Sequence, residues 1–295
     1  MTLNQLEDFL FWLAILMAVL TVVIIGVYFW KTRYRGGNYL RDPHIPLRYF
    51  IQKQVDRHGR ITGYECLLRT QDAAGQWTLP QDFNSLPLRR VIDLLEDTFV
   101  SLPTEPVTLS IKLTYQQISS RDFEYFIRWA ITKIEPMNLA VEISIKAMEK
   151  RVNRRLLRQQ IQMGRNYGMQ FAVNNVGSEL NDLKSIEWLL PEIDILKASM
   201  RSFRKEDPHE WLDLNFQFWN RLARKNHIKL VLVGIENAAD QALAEQLQID
   251  ARQGYLFGKP EDVHRGAEKW KIKGNSYIPT RILKKAIGGW RFGKL

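Results

Sequence analysis

The chain is poor in cysteine, histidine and acidic side chains, and each shortage excludes something. A single cysteine, Cys66, among 295 residues rules out an intramolecular disulfide framework and a cysteine zinc site. The five histidines, His44, His58, His209, His227 and His264, fall mainly in predicted turns or helix ends, with no metal-ligand spacing. Acidic residues number 32 against 42 Lys+Arg, a formal net charge of +10. Hydrophobic residues still make up 45%, so the chain can bury a core and is not disordered.

A second absence is local: Phe9 to Trp30 contains no charged residue. A helix of that length reaches about 33 Å, enough for a hydrocarbon layer of roughly 30 Å. Glu7 and Asp8 precede the run and no small-residue cleavage site follows, which argues against a signal peptide. Lys31, Arg33 and Arg35 follow it, so the positive-inside rule places the rest of the chain in the cytoplasm. The expected organisation is residues 1–35 as a short outer N-terminus with one transmembrane helix, 36–45 as a linker carrying Gly36-Gly37 and Asp42-Pro43, 46–263 as a folded domain, and 264–295 as a basic, aromatic tail.

The positive charge is confined to two places: residues 31–60 carry +6 and residues 264–295 carry +8, so residues 61–263 are slightly acidic. That distribution argues against nucleic acid as a partner and for anionic lipid near both segments. In the tail, Trp270, Tyr277, Trp290 and Phe292 alternate with lysines and arginines, as an interfacial surface or as a solvated tail with a few packed aromatics.

Within the domain, strands are predicted at Tyr49–Val55, Ile61–Leu68, Val107–Leu113, Leu139–Ile145, Gln170–Val173, Ile193–Leu196, Lys229–Val233 and near Tyr255–Phe257. Helices are predicted near Leu86–Leu102, Asp122–Ile134, Arg151–Tyr167, Asn181–Leu190, Glu210–Asn226 and Ala238–Leu247. A hairpin joins the first two strands, and strand and helix then alternate, which fits a doubly wound sheet or a barrel. Polar residues recur where strands end: Glu65, Lys112, Glu142, Asn174-Asn175, Lys197, Glu236 and Gln253. Charges in apolar strands are costly unless paired or bound. In a barrel these seven positions converge on one face.

The stretch Tyr64-Glu65-Cys66-Leu67-Leu68-Arg69 resembles the Y-E-A-L-L-R name motif of the EAL domain of bacterial cyclic di-GMP phosphodiesterases. Gln253 to Pro260 matches that family's Q-G-Y-L-F-x-K-P, and Pro80 with Phe83 is similar to its P-x-x-F. The resemblance implies an α/β fold, a modified TIM (β/α)8 barrel with one antiparallel strand, preceded here by one N-terminal transmembrane helix. It also implies two divalent metals, Mg²⁺ or Mn²⁺, that activate a water for in-line attack on phosphorus.

Glu65, Glu142, Lys197, Glu236 and Gln253 match the family's residue types, but the acidic ring is incomplete. Lys112 stands where the family has Asn, Asn174-Asn175 replace its acidic pair, Ser199 replaces the Asp of K-I-D, and Val233 and Ile145 replace two glutamates. A cation at Lys112 opposes metal binding, and neutral Asn174 and Asn175 lack the negative charge hard cations require. The expectation is therefore no catalytic residue, with Glu65, Glu142, Lys197 and Glu236 vestigial, no bound metal, and Lys112 paired with Glu65 or Glu142 in its place.

Ligand recognition is expected to outlive the chemistry. By resemblance, Gln52, Glu65, Leu68, Arg69, Gln253 and Pro260 would contact cyclic di-GMP. Arg69 can grip a phosphate with two hydrogen bonds, and Lys112 can supply positive charge. Glu65 and Glu142 also admit a plain structural role as partners of Lys112 and Lys197.

The reading favoured is a catalytically inactive, membrane-anchored cyclic di-GMP receptor, single-pass in the bacterial inner membrane with a cytoplasmic domain. By family analogy it would act on exopolysaccharide or adhesion machinery through a protein partner, with a homodimer plausible. The alternatives are a nucleotide-independent interaction scaffold and, ranked last, an active phosphodiesterase.

Overall fold

The computed structural model describes residues 3–33, 46–80, 86–148, 152–204 and 214–263. The expected linker, the basic tail, Phe83, and the proposed helix starts at Arg151 and Glu210 lie outside them. Helix α1, Leu3–Arg33, contains a span, Asp8–Val27, long and apolar enough to cross a membrane, and none of that span is buried against the protein.

The domain opens with an antiparallel hairpin, β1 (Leu47–Val55) and β2 (Ile61–Gln71). Asp56 shapes its turn: Oδ1 accepts from the His58 and Arg60 amides at 2.8 and 2.9 Å, and Gly59 takes the left-handed φ of 77°. A two-residue strand, β3 (Trp77–Thr78), folds back on the end of β2. Six strands then run parallel to β2: β4 (Thr108–Lys112), β5 (Asn138–Ser144), β6 (Gln170–Val176), β7 (Ile195–Ser199), β8 (Lys229–Val233) and β9 (Ala251–Gln253). Antiparallel pairing of β9 with β1 closes an eight-strand barrel, with β3 as an addition.

Amphipathic helices cover the outside. In α2 (Leu88–Phe99) and α4 (Phe123–Ile134), buried residues such as Phe123, Phe126, Ile127, Ala130 and Ile134 recur at helical spacing and face the sheet. Asparagine side-chain oxygens cap three helices: Asn153 for α6 (Arg154–Asn166), Asn215 for α8 (Phe216–Lys225) and Asn237 for α9 (Ala238–Gln246). The short helices α3 (Tyr115–Ile118) and α5 (Ile145–Met148), and α7 (Leu180–Ile186) with the 3-10 turn after it, complete the connections.

Two apolar clusters result. The large one lies between sheet and helices, while Ala140, Ala172, Ile195, Val231 and Ala251 form a separate small one inside the barrel. Period-two alternation puts the residues two positions further along four of those strands, Glu142, Asn174, Lys197 and Gln253, in the next layer toward the C-terminal mouth.

Most predicted elements are present within a few residues. The last strand is corrected: it is β9, Ala251–Gln253, and Tyr255–Phe257 form a turn in which Tyr255 and Leu256 are exposed. Gly254 begins that turn because the Ile235 backbone occupies the space a Cβ would fill.

Candidate functional site

The polar layer is built by strand register. Gln52 lies opposite Glu65 across β1 and β2, Lys112 opposite Glu142 across β4 and β5, and Asn174 opposite Lys197 across β6 and β7. Lys197 is fully buried, and its ammonium sits between the two carboxylates, 3.1 Å from Glu65 Oε2 and in direct ion-pair contact with Glu142. Gln253 Nε2 donates to Glu65 Oε2 at 2.8 Å and to Gln52 Oε1 at 3.1 Å, and Gln52 Nε2 donates to the Gly258 carbonyl at 2.9 Å. Asn174 Nδ2 donates to Glu142 Oε2 at 3.0 Å, while Asn174 Oδ1 is buried with no hydrogen-bond partner.

Burial opposes every charge in this layer, and the partners decide the outcome. For Glu65, burial is outweighed by Lys197, by the Gln253 hydrogen bond and by the more distant Lys112, so its carboxyl sits below the usual range. For Glu142, burial and the nearby Glu65 charge outweigh Lys197, and its carboxyl is pushed up. Lys197 is held above the usual lysine range because Glu142 and Glu65 together overcome its burial.

Lys197 is therefore a cation seated between the two glutamates, and Lys112 adds its charge to Glu65 as well. Lys112 is half-buried and lines a cavity of about 110 Å³ with Leu68, Arg69, Tyr49, Cys66, Leu79 and Pro80. The structure thus brings Leu68, Arg69 and Lys112 to one side of the mouth. Arg69 Nη1 donates to the Leu68 carbonyl at 2.9 Å, and burial pulls its guanidinium below the usual arginine range. Pro260 sits beside β1, one residue before Glu261, whose backbone pairs with Ile51.

Glu236 is set apart from the buried layer. Half-exposed after β8, it lies 3.4 Å from Arg204 Nη1, while Arg204 Nη2 reaches Asp240 Oδ2 at 2.6 Å. Asp240 also accepts the Glu236 amide at 2.9 Å. Sequence reasoning missed Arg204 and Asp240, since neither lies in a strand and their meeting depends on how the turn after β7 meets the first turn of α9. Ser199 closes β7 opposite Val233, and Asn175 takes a left-handed φ of 63° at a bulge in β6, which turns its side chain to solvent. Trp219, fully buried, donates to the Gly177 carbonyl at 2.8 Å and anchors the loop that follows Asn175.

Among the described residues, no group of three or more His, Cys, Asp or Glu is arranged to hold a metal ion. Two hard cations about 3.5–4 Å apart need several free carboxylates. Glu65 and Glu142 instead already share one ammonium, Glu236 faces Arg204, and the orphan acceptor Asn174 Oδ1 is neutral.

A closed barrel with one antiparallel strand and a Glu–Lys–Gln layer at its mouth defines the class. The EAL domain family model matches residues 46–260, and the chain belongs to that family. Several solved structures that share its fold are EAL domains or carry one. The EAL enzyme Bd1971, in a form bound to cAMP and cyclic di-GMP, is similar at 19% identity and a TM-score of 0.61, covering 86% of this chain and 69% of that one. The FimX EAL domain from Pseudomonas aeruginosa, bound to cyclic di-GMP, is 19% identical with a TM-score of 0.57, over 73% of this chain and 90% of that one. The Bacillus subtilis YkuI protein, in complex with cyclic di-GMP and calcium, is 17% identical with a TM-score of 0.56, over 77% and 61%. At these identities the likeness is one of fold. No curated protein sequence matches the chain.

Proposed function

We propose that this chain is a membrane-anchored EAL-domain receptor that binds cyclic di-GMP without hydrolysing it and passes occupancy to a protein partner. The observation that carries the reading is that Lys112 and the neutral Asn174 stand in register with Glu142 and Lys197 in the polar layer, where the family's pattern has a neutral ligand and an acid. The Lys197 ammonium between Glu65 and Glu142 already offsets part of their charge, and Lys112 adds a second positive charge at the same layer. With Asn174 and Asn175 in place of acids, nothing remains to offset a total metal charge of +4.

Ligand binding is supported from the other side of the mouth. Arg69, half-buried and facing a cavity shared with Lys112, can place a planar pair of donors on a phosphate. A scaffold indifferent to nucleotide is the second reading. It is favoured by the chain Gln52, Gln253, Glu65 and Lys197, whose hydrogen bonds are satisfied internally.

The test is calorimetry of cyclic di-GMP binding to the full chain in detergent micelles, first with EDTA and then with Mg²⁺, with the same samples assayed for linear product. The receptor reading expects binding in EDTA, no product, and an affinity loss of about tenfold or more in Arg69→Ala, roughly the cost of one charged hydrogen-bond pair. Metal-dependent product would overturn it in favour of an enzyme. No binding in either condition leaves the scaffold.

A further inference from the structure

At the end of the barrel opposite the mouth lies a second polar site. The start of β8, the start of β9, the end of α8 and the β1–β2 turn enclose a cavity of about 490 Å³. That volume falls within the range of small-molecule pockets, roughly 300–1,000 Å³.

Its charges are unevenly satisfied. Asp56 takes two backbone amides and Arg60 Nε at 2.7 Å, and Asp250 faces Arg57 at 3.5 Å, so both acids are engaged from the rim. The cations are not matched in the same way. Among the described residues, the Lys229 ammonium makes no hydrogen bond or ion pair, and Arg224 reaches only Gln248, at 3.5 Å. The Lys229 side chain is exposed to solvent; partial burial by the cleft walls, and after it the Lys197 charge further up the barrel, shift it below the usual lysine range, with Asp250 partly opposing them. The wall also holds the Thr62 hydroxyl, shut away from solvent with no partner, beside an apolar side made of Ile228, Leu230 and Ile249.

Two solvent-exposed cations that no carboxylate among the described residues holds, a buried unpaired hydroxyl and an apolar wall share one chemistry. We propose that this cavity binds a small organic phosphate, its phosphate on Lys229, Arg224 and Thr62 and its apolar body against Ile228, Leu230 and Ile249. The site is separate from the mouth and does not depend on what binds there.

Phenyl phosphate, with phenol as its uncharged counterpart and inorganic phosphate as the bare anion, probes this by calorimetry on the full chain in micelles. Phenyl phosphate is expected to bind at least about tenfold more tightly than phenol. Lys229→Met and, at an exposed helix end that tolerates change, Arg224→Gln should each weaken it about tenfold, with Arg69→Ala neutral. Equal affinity for phenol reduces the site to an apolar cleft. Binding lost in Arg69→Ala but kept in both other variants moves it to the mouth, and no binding of phenyl phosphate at about 10 mM shows that the cavity is not an anion site. Each of these three results overturns the proposal.

Discussion

Lys197 Nζ lies 3.1 Å from Glu65 Oε2, although 132 positions separate the two residues and they sit on strands that do not pair. The contact spans the barrel interior, and Glu142 completes it from a third strand. One buried ammonium between two buried carboxylates leaves the trio with a net negative charge, which the amides of Gln253 and Asn174 help to solvate.

Removing that ammonium exposes the energetics. Lys197→Met strands two buried carboxylates and should cost about 3–5 kcal/mol of unfolding free energy, read from urea denaturation. Adding Glu142→Gln should recover much of that loss, because fewer uncompensated charges remain. A single variant as stable as the wild type would show that the charges are not mutually dependent.

The same cluster fixes a pH dependence. Glu65 titrates lower in the folded chain than in the unfolded one, so it stabilises the fold above the ordinary carboxylate range and loses that contribution as pH falls through its folded pKa. Lys197 is shifted upward, so its contribution is complete below the ordinary lysine range and lost only as pH rises through its folded pKa. Glu142 is shifted upward and pulls the other way, its cost easing in acid. Urea midpoints should therefore be flat near neutrality and fall below about pH 4, the ordinary glutamate range. In Glu65→Gln the acid decline should be shallower.

Restoring acids should restore metal. A chain carrying Lys112→Asn, Asn174→Asp, Asn175→Asp and Ser199→Asp gains three carboxylates and loses one cation at the mouth. Mn²⁺ affinity, measured by calorimetry, should rise at least about a hundredfold over wild type, because hard cations bind in proportion to ligand charge. An unchanged affinity would mean that these four substitutions are not what keeps metal out.

What the sequence made legible follows from side-chain chemistry, and what it hid follows from three-dimensional closure. β1, β2, β4 and β5 are rich in β-branched or aromatic residues, and a hairpin before alternating elements left few topologies. β9, by contrast, reads Ala251-Arg252-Gln253, with no strand-forming residue, while the aromatic turn after it looks more like a strand. α3 and α5 span four residues each, too short for a helical period to register. At the site, the strand-end positions of Glu65, Glu142, Lys112 and Lys197 were visible as polar breaks in apolar runs. Which lysine would lie between the glutamates was not, since that depends on the distance across a closed barrel. Arg204 and Asp240 carry no periodic signal at all.

The reversed first strand has a consequence for where the protein can work. Leu47 pairs with Thr70, so the chain enters the barrel on the rim where β2 ends and Arg69 stands. From Arg33, where α1 ends, residues 34–46 can stretch no further than about 50 Å. With α1 in a bilayer, as the receptor reading has it, the mouth is leashed by its own rim to a thin shell above the lipid. A partner is then met at a surface density rather than a bulk concentration, and one carried in the same bilayer needs only weak contacts to be found often.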